Sequence, residues 1–462
     1  MKNLSLLLIF TLSFQFAQSQ KEAWNWNFGN HAGINFSSGS PVSFSGTAIN
    51  QMEGSASISD SLGNLLFYTD GISVYTASNT LMPNGTGLMG DNSSSTSAII
   101  IKQPGSNSIF YLFTVDFNHD GLAIGNGFRY SIIDMTLNGG NGDVTVKNEL
   151  IRLPVYEKLT AVKHANGNDF WVIVNDWTTD DILSYKLDST GLDTNLVASN
   201  VGPIHFMNAA HTTGCMKASP QGDKLALALW AKRSYELFEY DNTTGIASNH
   251  LTVFANDMDW AYGVEFSPDG SKLYTTKLSS PSCLYQFDIT AWDTASINLS
   301  RTTLATNPNS YTYCALQLAP DSKIYCSITA NDSLGVIASP NINGLNCNFA
   351  SNGVWLGTAT CRYGLPNFVG SDLLTTKISE PDFLENFGIY PNPAFEYLNI
   401  KSVLKRGSYN YRLFDFMGRE ISKGKLLLPL HKLDVSAFEN GIYELQIFNN
   451  SGITSQKILV QK

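Results

Sequence analysis

Ser267-Pro268-Asp269-Gly270-Ser271-Lys272-Leu273-Tyr274 is the stretch that decides the fold. Proline presets φ for a reversal, Asp-Gly tolerates positive φ, and an apolar, aromatic strand follows at once. The same design recurs along the chain. Asp60-Ser61-Leu62-Gly63-Asn64 precedes Leu65-Leu66-Phe67-Tyr68, and Pro104-Gly105-Ser106-Asn107 precedes Ile109-Phe110-Tyr111. His164-Ala165-Asn166-Gly167-Asn168-Asp169 precedes Phe170-Trp171-Val172. Ser219-Pro220-Gln221-Gly222-Asp223-Lys224 and Ala319-Pro320-Asp321-Ser322-Lys323 complete six copies.

Measured between Tyr68, Tyr111, Trp171, Leu227, Tyr274 and Tyr325, the copies stand 43, 60, 56, 47 and 51 residues apart. A four-stranded blade needs about that much chain, so the period predicts a β-propeller. One more blade is predicted from the two ends of the body. Tyr363-Gly364-Leu365-Pro366-Asn367-Phe368 supplies its first strand, and Trp24 to Gly29 and Gly33 to Phe36 the strands that follow. Such a split blade leaves no open sheet edge. The expected fold class is all-β: a seven-bladed β-propeller followed by a small β-sandwich, with six or eight blades as the alternatives.

Composition agrees. Gly (37), Tyr (20) and Phe (26) are abundant and charged residues only 15%. Of 29 Lys/Arg and 39 Asp/Glu, the chain from Leu384 holds 10 and 7, and Lys2 stands alone near the start. The body from Gln20 to Phe383 keeps 18 against 32, a net of −14. Such a surface repels nucleic acid and anionic membranes.

The first residues read as an export signal: Lys2, an apolar run from Leu4 to Phe16, then Ala17-Gln18-Ser19 as a cleavage site. The apolar run is shorter than the ~20 residues of a membrane span. No cysteine stands at the cleavage site, which argues against a lipoprotein. Six cysteines suit an oxidising compartment. Cys314 with Cys326, flanking one turn, and Cys347 with Cys361 are the expected disulfides, buried free thiols the alternative.

The final residues carry Ile389-Tyr390-Pro391-Asn392-Pro393, Leu398-Asn399-Ile400, Leu413-Phe414-Asp415-Phe416-Met417-Gly418-Arg419, Asn440-Gly441-Ile442-Tyr443 and Lys457-Ile458-Leu459-Val460. In this order they resemble the type A sorting domain of the type IX secretion system of Bacteroidetes. The resemblance implies carriage across the outer membrane, a partner in the type IX machinery, and a secreted or outer-membrane surface location. The body, through its Ser-Pro-Asp-Gly turns and Glu53-Gly54-Ser55-Ala56-Ser57-Ile58-Ser59-Asp60, resembles the tryptophan–aspartate-repeat-like propellers of Bacteroidetes surface proteins. More loosely it resembles lactonase-like and peptidoglycan-associated propellers. The expected domains are a signal peptide (1–19), a propeller (20–370), a linker (371–386) and the sorting domain (387–462).

Candidate site residues follow from strand starts, which line the binding face of a propeller. Glu53 and Arg362 begin first strands near the channel. Trp260, Tyr262 and Tyr311, with Tyr313, are candidates for stacking on a sugar or peptide. Asp70, Asp116 and Asp176 end second strands and form a candidate acidic rim, or else cap turns. Asp116-Phe117-Asn118-His119-Asp120-Gly121 matches the first half of a calcium loop, with oxygens from Asp116, Asn118 and Asp120, but Gly127 stands where the closing Glu belongs. Calcium is thus the one cofactor in view. The histidines show no two-histidine metal spacing and there is no G-x-S-x-G elbow. The expectation is a binding or adhesion module for a glycan, peptide or cell-surface ligand. The alternative is a propeller-type hydrolase or lactonase with a channel-bound divalent metal.

Overall fold

The computed structural model describes residues 21–117, 125–204, 213–254, 260–308, 311–373, 387–402, 409–415, 419–449 and 452–462. The proposed signal peptide lies outside the described residues. The chain divides into two compact units, a body up to Thr375 and a tail from Thr376.

The described residues of the body form seven antiparallel sheets in chain order. The first has three strands, Asn25–Phe28, Asn30–Asn35 and Val42–Asn50. The second to seventh begin with Ala56–Ser59, Ala98–Lys102, Val155–Lys163, Met216–Ala218, Ala261–Phe266 and Tyr313–Leu318. Within each, strands pair in sequence order, except that in the fourth sheet Gly191–Leu192 and Val197–Asn200 share one neighbour. Each first strand packs against the first strand of the next sheet, as radial stacking about an axis requires. The body is a β-propeller.

All six turn motifs fall between the first and second strands of a sheet. The physics is visible at Ser267. Its Oγ accepts the Lys272 amide at 2.9 Å, Asp269 Oδ1 accepts the Ser271 amide at 3.0 Å, and Gly270 sits at φ +69°. Ser219 and Gly222 repeat this arrangement. In the last copy Ser322 takes the left-handed position at φ 62°. First strands are buried along their length, because neighbours cover both faces and the axis covers one edge. Their polar residues, such as Ser57 and Ser59, are buried along with the apolar ones.

The ends of the body meet. Trp26 packs on Tyr325 at 5.5 Å and on Phe368 at 5.7 Å, and the Asn30 amide donates to Thr360 O. The stretch Tyr363 to Phe368 lies between the seventh and second sheets. The Ala315 amide donates to Tyr363 O, and the Asn367 amide to Ser55 O. It forms no ladder with Asn25–Phe28 among the described residues; Pro366 has no amide hydrogen to give, and the Asn27 amide donates to Ser57 Oγ instead. The chain continues to Leu373, which is buried in the body's core although it lies inside the stretch expected as linker. Gly370 passes close to Ala218 O, and Asp372 pairs with Lys163 at 3.8 Å, so residues 370–372 cross the ends of the fourth and fifth first strands.

The expected disulfides are corrected: all six cysteines are buried and free. An irregularity between Tyr313 and Leu316 sets Leu316, not Cys314, across from Cys326. Cys361 Sγ donates to Ser333 O, while Cys347 lies beside Tyr274.

The tail forms two sheets. One contains Phe387–Tyr390, Tyr397–Ser402 and Leu430–Asp434; the other Asn410–Phe414, Glu420–Lys425, Gly441–Asn449 and Gly452–Val460. Leu398, Ile400, Leu413, Leu445, Ile447 and Val460 build a core between them.

Candidate functional site: the strand-start mouth and channel

Strand starts converge at one end of the axis, and from there inward the first strands and the loops entering them carry buried charge. Glu53, Glu157, Lys158, Lys217 and Glu265 are all at least nine-tenths buried. Tyr262 OH donates to Glu53 Oε2 at 2.9 Å. Glu157 accepts the Ser95 amide and the Ser95 hydroxyl, each at 3.2 Å, while Ser95 Oγ accepts the Gly214 amide at 2.9 Å. Lys158 Nζ donates to Thr213 O at 3.0 Å. Residues in or leading into five sheets, the second to the sixth, thus meet around one polar cluster.

Burial dominates its electrostatics. It raises the Glu53 carboxyl well above the usual range, and the neighbouring Glu157 charge raises it further. Burial pushes Glu157 up to about 7, with Lys158 opposing the shift, and brings Lys158 down to about 8. A carboxyl poised near neutrality beside a second one can hold or pass a proton.

Deeper in the channel, Lys217 Nζ donates to Gln317 Oε1 and to Asn367 Oδ1 at 3.1 Å, and Asn367 Nδ2 donates to Leu159 O at 3.0 Å. Glu265 accepts the Leu318 and Phe266 amides at 2.9 Å each. Burial lowers Lys217 and raises Glu265, and each charge opposes the other's shift. Every polar group of this layer named here is engaged.

The sequence candidates separate. Glu53 and Tyr262 come together directly, and Tyr262 packs edge-on to Tyr363 at 6.1 Å, next to Arg362. Trp260 stands elsewhere on the mouth, 46% exposed, its ring 5.4 Å from that of Trp230. It holds φ 73°, a conformation bulky residues avoid, fixed by Trp260 N to Trp230 O at 3.2 Å and Leu278 N to Trp260 O at 3.0 Å. Tyr311 is exposed, whereas Tyr313 is core, packed on Phe349. Asp70 caps its own turn through the Ile72 and Ser73 amides, and Asp176 holds Thr178 and Arg152. That rim is made of turn caps. Asp116 accepts the Phe117 and Asn126 amides, closing its loop. Asn118 and Asp120 lie outside the described residues, and no group of three or more metal-ligating side chains occurs among those described.

Sequence reasoning missed Ser95, Glu157, Lys158, Lys217, Glu265 and Trp230. The signal was present for Glu157 and Lys158: two adjacent charges inside Val155-Tyr156-Glu157-Lys158-Leu159-Thr160-Ala161-Val162, a run otherwise built for a buried strand.

Solved structures resemble the chain at low identity. A candidate 6-phosphogluconolactonase from Bacteroides fragilis NCTC 9343 is 11% identical, with 74% of this chain and 97% of that one covered and a TM-score of 0.46. A protein from Lactobacillus plantarum is 14% identical over 74% and 99%, with a TM-score of 0.42. The β-propeller domain of Myceliophteria thermophila Cps50 (Swd1) is 8% identical over 83% and 93%, at 0.37. No curated protein matches the chain. Residues 388–461 match the family described as the secretion system C-terminal sorting domain. The tail is therefore a type IX sorting domain, and the protein is secreted or held at the cell surface of a Bacteroidetes-type bacterium.

Proposed function

We propose that the body is a surface binding module that recognises a glycan through the aromatic residues of its strand-start face. Trp260 carries the reading. A bulky residue at positive φ costs about 1–3 kcal/mol and persists only where its surroundings enforce it. Here the strained backbone presents a half-exposed indole beside that of Trp230. The exposed indole, tilted against its neighbour, offers an apolar, electron-rich face to the C–H side of a sugar ring, and Tyr311 adds a second exposed ring. In this reading the propeller runs on to Leu373, past the boundary expected from sequence, the sorting domain keeps 387–462, and the tail engages the export machinery. The experiment is a glycan array with the full chain, followed by titration of the best binder while tryptophan fluorescence is read. Trp260→Ala should weaken binding about tenfold or more. Unchanged affinity in that variant ends the proposal.

The hydrolase reading is favoured by one observation, the Glu53 and Glu157 carboxyls sharing the surroundings of Ser95. Turnover of lactones or esters that disappears in Glu157→Gln would select it.

A further inference from the structure

A pocket of about 320 Å³ opens at the seam where the chain's ends meet. Met52, Thr329, Ala330, Thr360, Arg362 and Tyr363 line it. Its position follows from the closure: Tyr363 N donates to Met52 O, and Ala330 N to Cys361 O at 3.1 Å. Ala330 sits at φ 55°, a left-handed conformation in a non-glycine residue. A small side chain there leaves the space open.

Arg362 is the one charged residue of the lining. Its Nε is buried without a hydrogen-bond partner, and no carboxylate pairs with it among the described residues. That is unusual in a body with 32 Asp/Glu against 18 Lys/Arg, where acids abound to neutralise a cation. A buried donor left unmade costs roughly 1–3 kcal/mol, more when charged. Glu53, one residue beyond Met52, is taken by the Tyr262 hydroxyl. The exposed rim, Ala330 and Met52, gives a ligand access.

We propose that this pocket is a subsite for the carboxylate of a small acidic ligand, with a hexuronic acid as its simplest probe. The two Nη groups of the guanidinium form a planar fork that matches the two oxygens of a carboxylate. The remaining volume suits one sugar-sized body, at the small end of ligand pockets. Thr360 and Tyr363 are the hydroxyl-bearing residues of the lining beside it, the Thr329 hydroxyl being held by Thr312. This subsite stands independently of the Trp260 platform.

The test is calorimetric titration of the full chain with glucuronate, glucose and inorganic phosphate at up to roughly 10 mM, weak small-ligand affinities lying in this range. Glucuronate should bind saturably and glucose should not. Arg362→Gln should weaken glucuronate about tenfold or more, since a charge-assisted bidentate contact is lost. Arg362→Lys should fall between the two, because it keeps charge without the fork. Melting curves establish that both variants are folded. Three results would overturn the proposal: no glucuronate binding, equal affinity in folded Arg362→Gln, or phosphate bound more tightly than glucuronate.

Discussion

Glu157 concentrates the chemistry of the mouth into one residue. Its carboxyl is held at about 7 against an ordinary 4.5, because water is excluded around it. A raised folded-state pKa means that the folded protein binds the proton more tightly than the unfolded chain. The stabilisation this gives is present below about 4.5 and is lost as pH rises to about 7. The loss at pH 8 is of order 3 kcal/mol. Glu157→Gln removes the titration, so its melting temperature should fall less between pH 5 and pH 8 than that of the parent. Lys158 acts in another window. Its pKa lies down at about 8, so its own contribution changes only above that pH in the parent. In the variant Lys158 loses its nearest anion and its pKa drops further, which adds to the difference in the same direction. Melting curves at four pH values check this, and identical slopes would show that Glu157 is not titrating in the fold.

At the scale of the element, the stretch from Tyr363 to Leu373 closes the ring and crosses its channel. Gly364 shows how tightly it is seated: a Cβ there would lie 1.8 Å from Glu53 O, a backbone atom that cannot step aside. Gly364→Ala should therefore destabilise by about 3 kcal/mol or more, overpacking against rigid backbone. Urea unfolding measures it, and a loss below about 1 kcal/mol would mean that the closing stretch is looser than its hydrogen bonds imply. The repeated turns were legible because their chemistry is local: Ser-Pro-Asp-Gly carries its own φ preferences and its own capping oxygens. The expected pairing of Tyr363 to Phe368 with Asn25–Phe28 does not form among the described residues, because Pro366 breaks the ladder there. The polar layer was not legible, because Lys217 meets Gln317 and Asn367 across 100 and 150 residues. Nor was the fate of the cysteines. Equal distances from a turn suggested that Cys314 faces Cys326, but one irregularity shifts the register and turns them to different surroundings.

Over the whole molecule, two cores share one chain. Among the described residues, the clusters that hold the propeller end at Leu373 and the tail's cluster begins at Phe387. The charges differ as well, −14 for the body against an excess of 3 Lys/Arg over Asp/Glu from Leu384 onward. Separate cores imply separate folding units, since cooperativity follows shared burial. The body holds its fold by ring closure, in which Trp26 and Phe36 of the first sheet pack on Tyr325 of the seventh. Ending the chain at Thr375 should then leave the body's melting temperature within about 2 °C of its value in the full chain, the shift expected for well under 1 kcal/mol. The same truncation removes the matched sorting family, so the protein should stay in the periplasm instead of reaching the surface or the medium. Calorimetry and cell fractionation read the two halves separately. A truncated body that melts more than about 5 °C lower would place part of its stability in the tail, and surface delivery without residues 388–461 would locate the export address elsewhere in the chain.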